Sequence, residues 1–211
     1  MSKRSPLILS GLLWLAVPCA AAVGQSVAGR AVAAQVNTAA GSQTFASASL
    51  PEGGGMDQAE SETAGVANTL GTGALNSITT GQVDETVVSV TATAEAADVD
   101  ILNGLITVKA VLALATSYVN GSGAASEAGG STLVGLLVAG VPYADGAPEP
   151  NTRVDLPGVG YVVLNEQVPS GDGLRSTALT VRMIHVYLVD SLTGASSGEI
   201  VVGAATSKAG L

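Results

Sequence analysis

The chain has 211 residues, 17 acidic against 8 basic for a net charge of −9 at neutral pH, and only one His, one Cys, one Phe, one Trp and four Tyr. Such a charge repels nucleic acid and anionic membrane surfaces, and so few aromatic residues leave neither the flat platforms that carry carbohydrate nor the Trp, Tyr and Arg anchors of binding hot spots. The core has to be filled by Val, Leu, Ile and Ala.

Lys3 and Arg4 precede an apolar run from Leu7 to Val17, and the small residues Ala20, Ala21 and Ala22 follow. A short positive start, an apolar stretch of this length and an Ala-x-Ala site form the pattern of a secretory signal peptide. Ser10, Gly11 and Pro18 interrupt the run, which falls short of the roughly 20 apolar residues a membrane span needs. Cleavage is expected after Ala22, or as late as Ala34, because Ala-rich sequence continues to that point. Cys19 follows Pro18 instead of the small residue a lipoprotein site requires, so it is expected to leave with the leader. The mature chain then has no cysteine, hence no disulfide staple, no thiolate zinc site and no cysteine nucleophile. Cleavage after Ala22 leaves 189 residues at a net charge of −11, enough for one domain.

From Val23 to residue 86 the chain is rich in Ala, Ser, Thr and Gly and reads as loop-rich, broken most clearly at Pro51-Glu52-Gly53-Gly54-Gly55. Arg30 to Phe45 suits one or two strands, and the polar, acidic Asp57 to Gly65 reads as loop or weak helix. Residues 87–211 read as the β-rich domain. Val88, Val90, Ala92 and Ala94 alternate with Ser89, Thr91 and Thr93, the period of two that a half-buried strand requires. Asn103-Gly104 is a strong hairpin signal, since both central positions of a type I′ turn need positive φ. Leu105 to Tyr118 returns as a long strand with Ile106, Val108, Ala110, Leu112 and Leu114 on one face, and Asn120 to Gly130 reads as loop.

Thr132 to Val138 is aliphatic and β-branched, Ala139-Gly140 supplies a turn, and Pro142 marks a strand end or an edge because it donates no ladder hydrogen bond. Asp145 to Asn151 is a dense cluster of breakers. Thr152 to Leu156, a type II turn at Pro157-Gly158 and Tyr161 to Leu164 form the next hairpin. Pro169 to Gly173 is a further turn cluster. Ser176 to Val189 is a long strand whose apolar phase slips at Met183-Ile184, which calls for a bulge or for cover on both faces. Glu199 to Ala205 is the last strand. Strands at this spacing, with almost no helical period, predict an all-β fold, an antiparallel β-sandwich with a β-barrel or a parallel β-helix as alternatives; no repeat of fixed length favours the last.

Several short motifs occur in an order that resembles the choice-of-anchor P family of bacterial secreted proteins. They are Gly135-Leu136-Leu137-Val138-Ala139-Gly140-Val141-Pro142, Pro150-Asn151-Thr152, Leu156-Pro157-Gly158-Val159-Gly160, Leu164-Asn165-Glu166-Gln167, Leu179 to Val186 and Gly198 to Ala205. The resemblance covers roughly Val87 to the C-terminus. It implies an exported, β-rich domain of unknown biochemical role with differing surface-attachment signals, and it carries over no catalytic residues. The tail Thr206 to Leu211 has no sorting motif, and Leu156 to Gly160 lacks the Thr and the hydrophobic tail of a cell-wall sorting signal, which departs from the anchored members.

Residues with chemistry are few. His185 falls inside a predicted strand and reads as structural. Asp98 and Asp100, two apart beside a hairpin, have the spacing of an exposed calcium site but read as solvated carboxylates, as do Asp145 and Glu149 in the Pro-rich loop. Glu166 reads as a carboxylate that satisfies nearby backbone amides. Asn120-Gly121-Ser122 matches a glycosylation sequon by chance. The sequence therefore assigns no catalytic, cofactor-binding or metal residue and no cofactor. It predicts a secreted, non-catalytic structural or cell-surface domain that contacts envelope components or other copies, with no nucleic-acid partner and no transmembrane segment in the mature chain. The alternative is an extracellular carboxylate-dependent hydrolase or calcium-dependent module, which requires Glu166 to gather with Asp98 and Asp100 or with Asp145 and Glu149.

Overall fold

The computed structural model describes residues 24–211, all β, with its strands in two open antiparallel sheets packed face to face. The leader read at residues 1–22 lies outside the described residues. The first sheet has the order β13 (Thr152–Leu156), β14 (Gly160–Gly171), β15 (Ser176–Val189), β16 (Ser196–Gly210), β1 (Ser26–Thr38) and β2 (Gly41–Ser49). The second runs β12 (Val141–Pro142), β11 (Leu137–Val138), β8 (Ile106–Asn120), β7 (Val88–Ile101), β5 (Leu70–Thr72) and β4 (Ala64–Val66). Beside that path β6 (Leu75–Val83) pairs with β7 and carries β3 (Gly55–Ser61), while β9 (Gly123–Glu127) and β10 (Thr132–Val134) pair with β8. The sheets do not close into a barrel, and the alternation predicted over 88–94 has Val88, Val90, Ala92 and Ala94 all buried.

The N-terminal third is not loop-rich. β1 lies between β16 and β2 in one sheet, and β6 pairs with β7 in the other, so residue 87 divides nothing structurally. A cut after Ala34 would remove the first nine residues of β1, including the buried Ala31, Ala33 and Ala34; a cut after Ala22 leaves the strand whole. Asp57 to Gly65, read as loop or helix, is mostly β3, whose register with β6 runs from Gly55↔Gly81 to Ser61↔Leu75. The loop read at 120–130 contains β9, and the closing strand extends to Gly210, well past Ala205. Turn chemistry fared better. Ala139 and Gly140 both have positive φ between the paired Val138 and Val141, Gly158 has φ 78°, and Pro142 lies on the edge strand β12. Leu102, Asn103 and Gly104 all have positive φ, which makes the β7–β8 loop longer than a two-residue turn. Pro169 sits inside β14, where β13 no longer pairs with it and the flank is open, so its missing N–H breaks no ladder there.

The phase slip at Met183-Ile184 has a cause that spans five of the sheet's six strands. In β15 the buried side chains that face the other sheet include Leu179, Val181 and Met183, then Ile184 and Val186; in β16 they include Ile200 and Val202, then Ala205, Ser207 and Ala209. The inversion falls on one transverse row formed by Asn165, Met183, Gly203, Ala33 and Ala46. Cα pairing continues in unchanged register on both sides of it, with Leu164↔Ile184 and Glu166↔Arg182, then Arg182↔Ala204 and Ile184↔Val202. Alternate strands in the row carry a left-handed residue, Asn165 at φ 48°, Gly203 at 68° and Ala46 at 46°. A bulge confined to one strand would shift its register; here each of the five strands crossed absorbs one residue at the same level, so the faces exchange while the ladder is kept. The second sheet repeats the device at Asp98 (φ 47°), Lys109 and Gly135 (φ 65°). Ala110, Leu112 and Leu114, expected to share a face with Ile106 and Val108, therefore lie on the opposite one, and Val111, Ala113 and Ala115 point into the core.

The centre of the sandwich is packed with alanine, valine and leucine, as the scarcity of aromatics requires. At one end a hydroxyl relay joins the sheets: Ser207 Oγ to Ser117 Oγ at 2.7 Å, Ser117 Oγ to Ser126 Oγ at 2.7 Å and Ser126 Oγ to Thr177 Oγ1 at 2.6 Å. Each buried hydroxyl there has a partner, as burial demands. Thr79 is the exception, with its Oγ1 fully buried and unpartnered. Replacing it with an isosteric methyl removes that desolvation cost, so Thr79→Val is expected to stabilise the fold by about 1 kcal/mol. For a domain of this size that raises the thermal midpoint by about 2–4 °C, measurable by calorimetry.

Candidate functional site

Glu166 and His185, two of the residues singled out in the sequence, meet on the outer face of the first sheet. The row of inversion brings them together. Without it Arg182 and His185, three apart on β15, would point to opposite faces; with it both point outward, next to Glu166 on β14. Arg182 Nη1 donates to Glu166 Oε2 at 2.8 Å, and the Tyr187 hydroxyl donates to Glu166 Oε1 at 2.7 Å. His185 Nδ1 faces Glu166 Oε2 at 2.8 Å, and its Nε2 faces Glu199 Oε2 on β16 at 3.0 Å. A neutral imidazole has one N–H and donates to one of these carboxylates, whereas an imidazolium donates to both. The His185 side chain is 5% exposed, Glu166 14%, Arg182 32% and Glu199 37%, so the polar atoms form a lid over the outer sheet surface with the imidazole beneath it.

Aromatic stacking extends the cluster across the strands. Tyr187 lies 3.9 Å from the His185 ring between centroids and 4.7 Å from Tyr161, to which it is stacked at 16°, and the Arg153 guanidinium covers the far face of Tyr161 at 3.8 Å. Arg153 in turn pairs with Asp155 at 3.0 Å. Two of the four tyrosines thus stand with their flat faces taken by neighbouring side chains, which leaves them no platform for a sugar ring. Backbone geometry supports the stack. Gly160 has φ 141°, and a Cβ there would lie 2.0 Å from the Tyr187 carbonyl oxygen, so only glycine admits the close approach of β14 to β15 beside Tyr161.

Burial alone would raise the Glu166 carboxyl, but hydrogen bonds from His185, Tyr187 and Arg182 outweigh it and hold the group below its ordinary value of 4.5. Burial, followed by the hydrogen bond to Glu166 and its charge, pushes the Tyr187 phenol well above its usual range. Two exposed carboxylates are also depressed, each by closing a turn. Asp172 is drawn down to about 2 by the backbone N–H groups of Leu174, Ser176 and Arg175, and Asp190 is lowered by the Thr193 backbone and hydroxyl and the Leu192 N–H. The three carboxyl shifts have one sign. A carboxyl depressed in the folded state stabilises the fold above its unfolded pKa, and that contribution is lost as pH falls through the folded value. The urea midpoint is therefore expected to fall as pH drops from about 4.5 towards 2, and Glu166→Gln, which cannot titrate, flattens that slope. A slope unchanged by Glu166→Gln would show that Glu166 does not contribute.

The other candidates stay apart. Asp98 and Asp100 are exposed on the second sheet, Asp98 on its row of inversion and Asp100 accepting from the Gly104 N–H at 2.7 Å to close the hairpin. Asp145 accepts from the Gly135 N–H at 2.7 Å. Glu149 is exposed, and its carbonyl accepts from Thr152. Glu166 does not satisfy backbone amides as expected: its partners are side chains. The adjoining loop is held instead by Asn165 Nδ2 donating to the Pro148 carbonyl at 2.7 Å and by the Gln167 N–H donating to Asn151 Oδ1 at 2.9 Å. Asn120 Oδ1 accepts from the Ser122 N–H, making the sequon an Asx turn. Among the described residues no group of three or more His, Cys, Asp or Glu side chains is arranged to hold a metal ion, and no helix is long and apolar enough to cross a membrane. Arg182 and Glu199 fall inside the short motifs quoted for the resemblance and Tyr161 and Tyr187 outside them, but none of the four stands in a local pattern that points to chemistry. The available signal was that His185 and Tyr187 alternate with Ile184 and Val186, which places a titratable row on the outward face once the slip is allowed for.

No family model matches the chain, and comparison with curated proteins and with solved structures likewise finds no match.

Proposed function

We propose that this chain is an exported, non-catalytic β-sandwich domain that works through its outer surface, in contact with cell-envelope components or with other copies of itself. The observation that carries the reading is that the most elaborate polar cluster is spent on internal bonds. Both Glu166 oxygens accept hydrogen bonds within the fold, and both His185 nitrogens face carboxylate oxygens of neighbouring strands. A reacting group needs a free donor or acceptor aimed into a space that substrate enters. The leader pattern at residues 1–22 and the resemblance to choice-of-anchor P proteins support the same reading, as does the acidic balance, which favours solubility outside the cell. The alternative, a carboxylate-dependent hydrolase or calcium module, needs Glu166 beside Asp98 and Asp100, which stand on the other sheet, or beside Asp145 and Glu149, whose described bonds close turns.

The test expresses the full chain in a bacterial host, fractionates the cells and determines the mature N-terminus. Recovery outside the cytoplasm with the leader removed, together with self-association in sedimentation or retention by isolated envelopes, is the expected result. Cytoplasmic retention with the leader attached, or hydrolysis that Glu166→Gln abolishes, would overturn it.

A further inference from the structure

The second sheet carries a groove of about 690 Å³ on its outer face, away from the polar cluster. Its geometry follows from register. Glu60, Asn76, Glu95, Leu112 and Thr132 are successive partners across β3, β6, β7, β8 and β10, so they form one transverse row. The next outward positions are Ala74, Ala97 and Ala110, with Ala97 paired to Ala110 and its N–H bonded to the Ala74 carbonyl. A row of long side chains beside a row of methyl groups makes a trough. At about 4.8 Å per strand, the row spans roughly 19 Å.

The trough is polarised along its length. Glu60 and Glu62 stand at the β3 end and Glu95 near the middle, whereas Leu112 and Thr132 finish the far end; no Lys or Arg lines it. None of the three glutamates takes part in an ion pair among the described residues. An apolar floor with unneutralised carboxylates at one end complements a ligand that is cationic at one end and aliphatic along its body. The alanine floor offers no oxygen ligands, which separates this chemistry from that of a calcium site.

We propose that this groove binds a linear amphiphilic ammonium, its head between Glu60, Glu62 and Glu95 and its aliphatic body along Ala97, Ala110 and Leu112. The site is independent of the surface role above and stands or falls separately. Calorimetric titration with n-octylammonium, below its aggregation concentration and at low salt, is expected to give saturable one-to-one binding. Octanol, which has the tail without the charge, and octanoate, of opposite charge, are expected to bind at least tenfold more weakly. Glu60→Gln with Glu62→Gln is expected to weaken octylammonium about tenfold. Ala110→Leu, on an exposed outer position, fills the floor and is expected to abolish binding while leaving the urea midpoint unchanged. Absence of saturable binding, octanol or octanoate binding as tightly as the amine, or Ala110→Leu binding like the parent would each overturn the assignment.

Discussion

Replacing Glu166 with Ala is expected to destabilise the fold by about 3 kcal/mol, the range found when one partner of a buried, hydrogen-bonded charge pair is removed. The loss has three parts. Arg182 keeps its charge with no acceptor, the Tyr187 hydroxyl is left partly desolvated without a partner, and His185 beneath them retains only Glu199. Arg182 is a third exposed and recovers some hydration, so Arg182→Ala is expected to cost nearer 1 kcal/mol. Glu199, more exposed than Glu166 and bonded to one group of the cluster, is expected to matter least. Urea unfolding of the four proteins checks the order. If Glu166→Ala proved no more harmful than Glu199→Ala, Glu166 would not be the centre of the cluster.

Gly203→Ala is expected to cost a comparable amount, about 3 kcal/mol, for reasons independent of charge. Gly203 adopts φ 68°, where a Cβ costs about 1–2 kcal/mol. The added methyl would lie 2.6 Å from Val111 Cγ1, across the core on β8, and overpacking of this kind typically adds 1–3 kcal/mol. The two contributions are separable. Val111→Ala opens the space the methyl needs, so in the double variant the steric part disappears and the cost of the left-handed backbone remains. Non-additivity of at least 1 kcal/mol in a double-mutant cycle is the expected sign; strict additivity would mean the core relaxes around the methyl without help from Val111.

These two positions also show what a reader of the sequence can and cannot see. The strand Ser176–Val189 was legible to its ends, and its slip at Met183-Ile184 was visible because burial imposes a period of two on any half-covered strand. That the slip crosses five strands was not visible, because the left-handed residues are two non-glycines, Asn165 and Ala46, and one glycine among 27 in the chain. β3 was missed for the opposite reason. Gly55–Ser61 has no buried residue on either face, and pairing with β6, a non-local event, defines it as a strand. Arg30 to Phe45, read as one or two strands, holds most of β1 and the start of β2; the strand ends were blurred because Ala at a core position carries little pattern by itself. The polar cluster draws on β14, β15 and β16, and its members become neighbours only through the register of those strands. Glu166 and His185 could be named from the sequence; their contact could not.

The strands at the open margins have a bearing on how copies of this molecule can meet. β13 has five residues and carries the Arg153–Asp155 ion pair, and β12 has two residues, one of them Pro142. Short, charged or proline-bearing margins are poor templates for another chain to continue the hydrogen-bond ladder. Growth into a fibre by adding strand to strand is thereby discouraged at those two borders, and copies that meet there do so through side chains, broadside, without sharing a ladder.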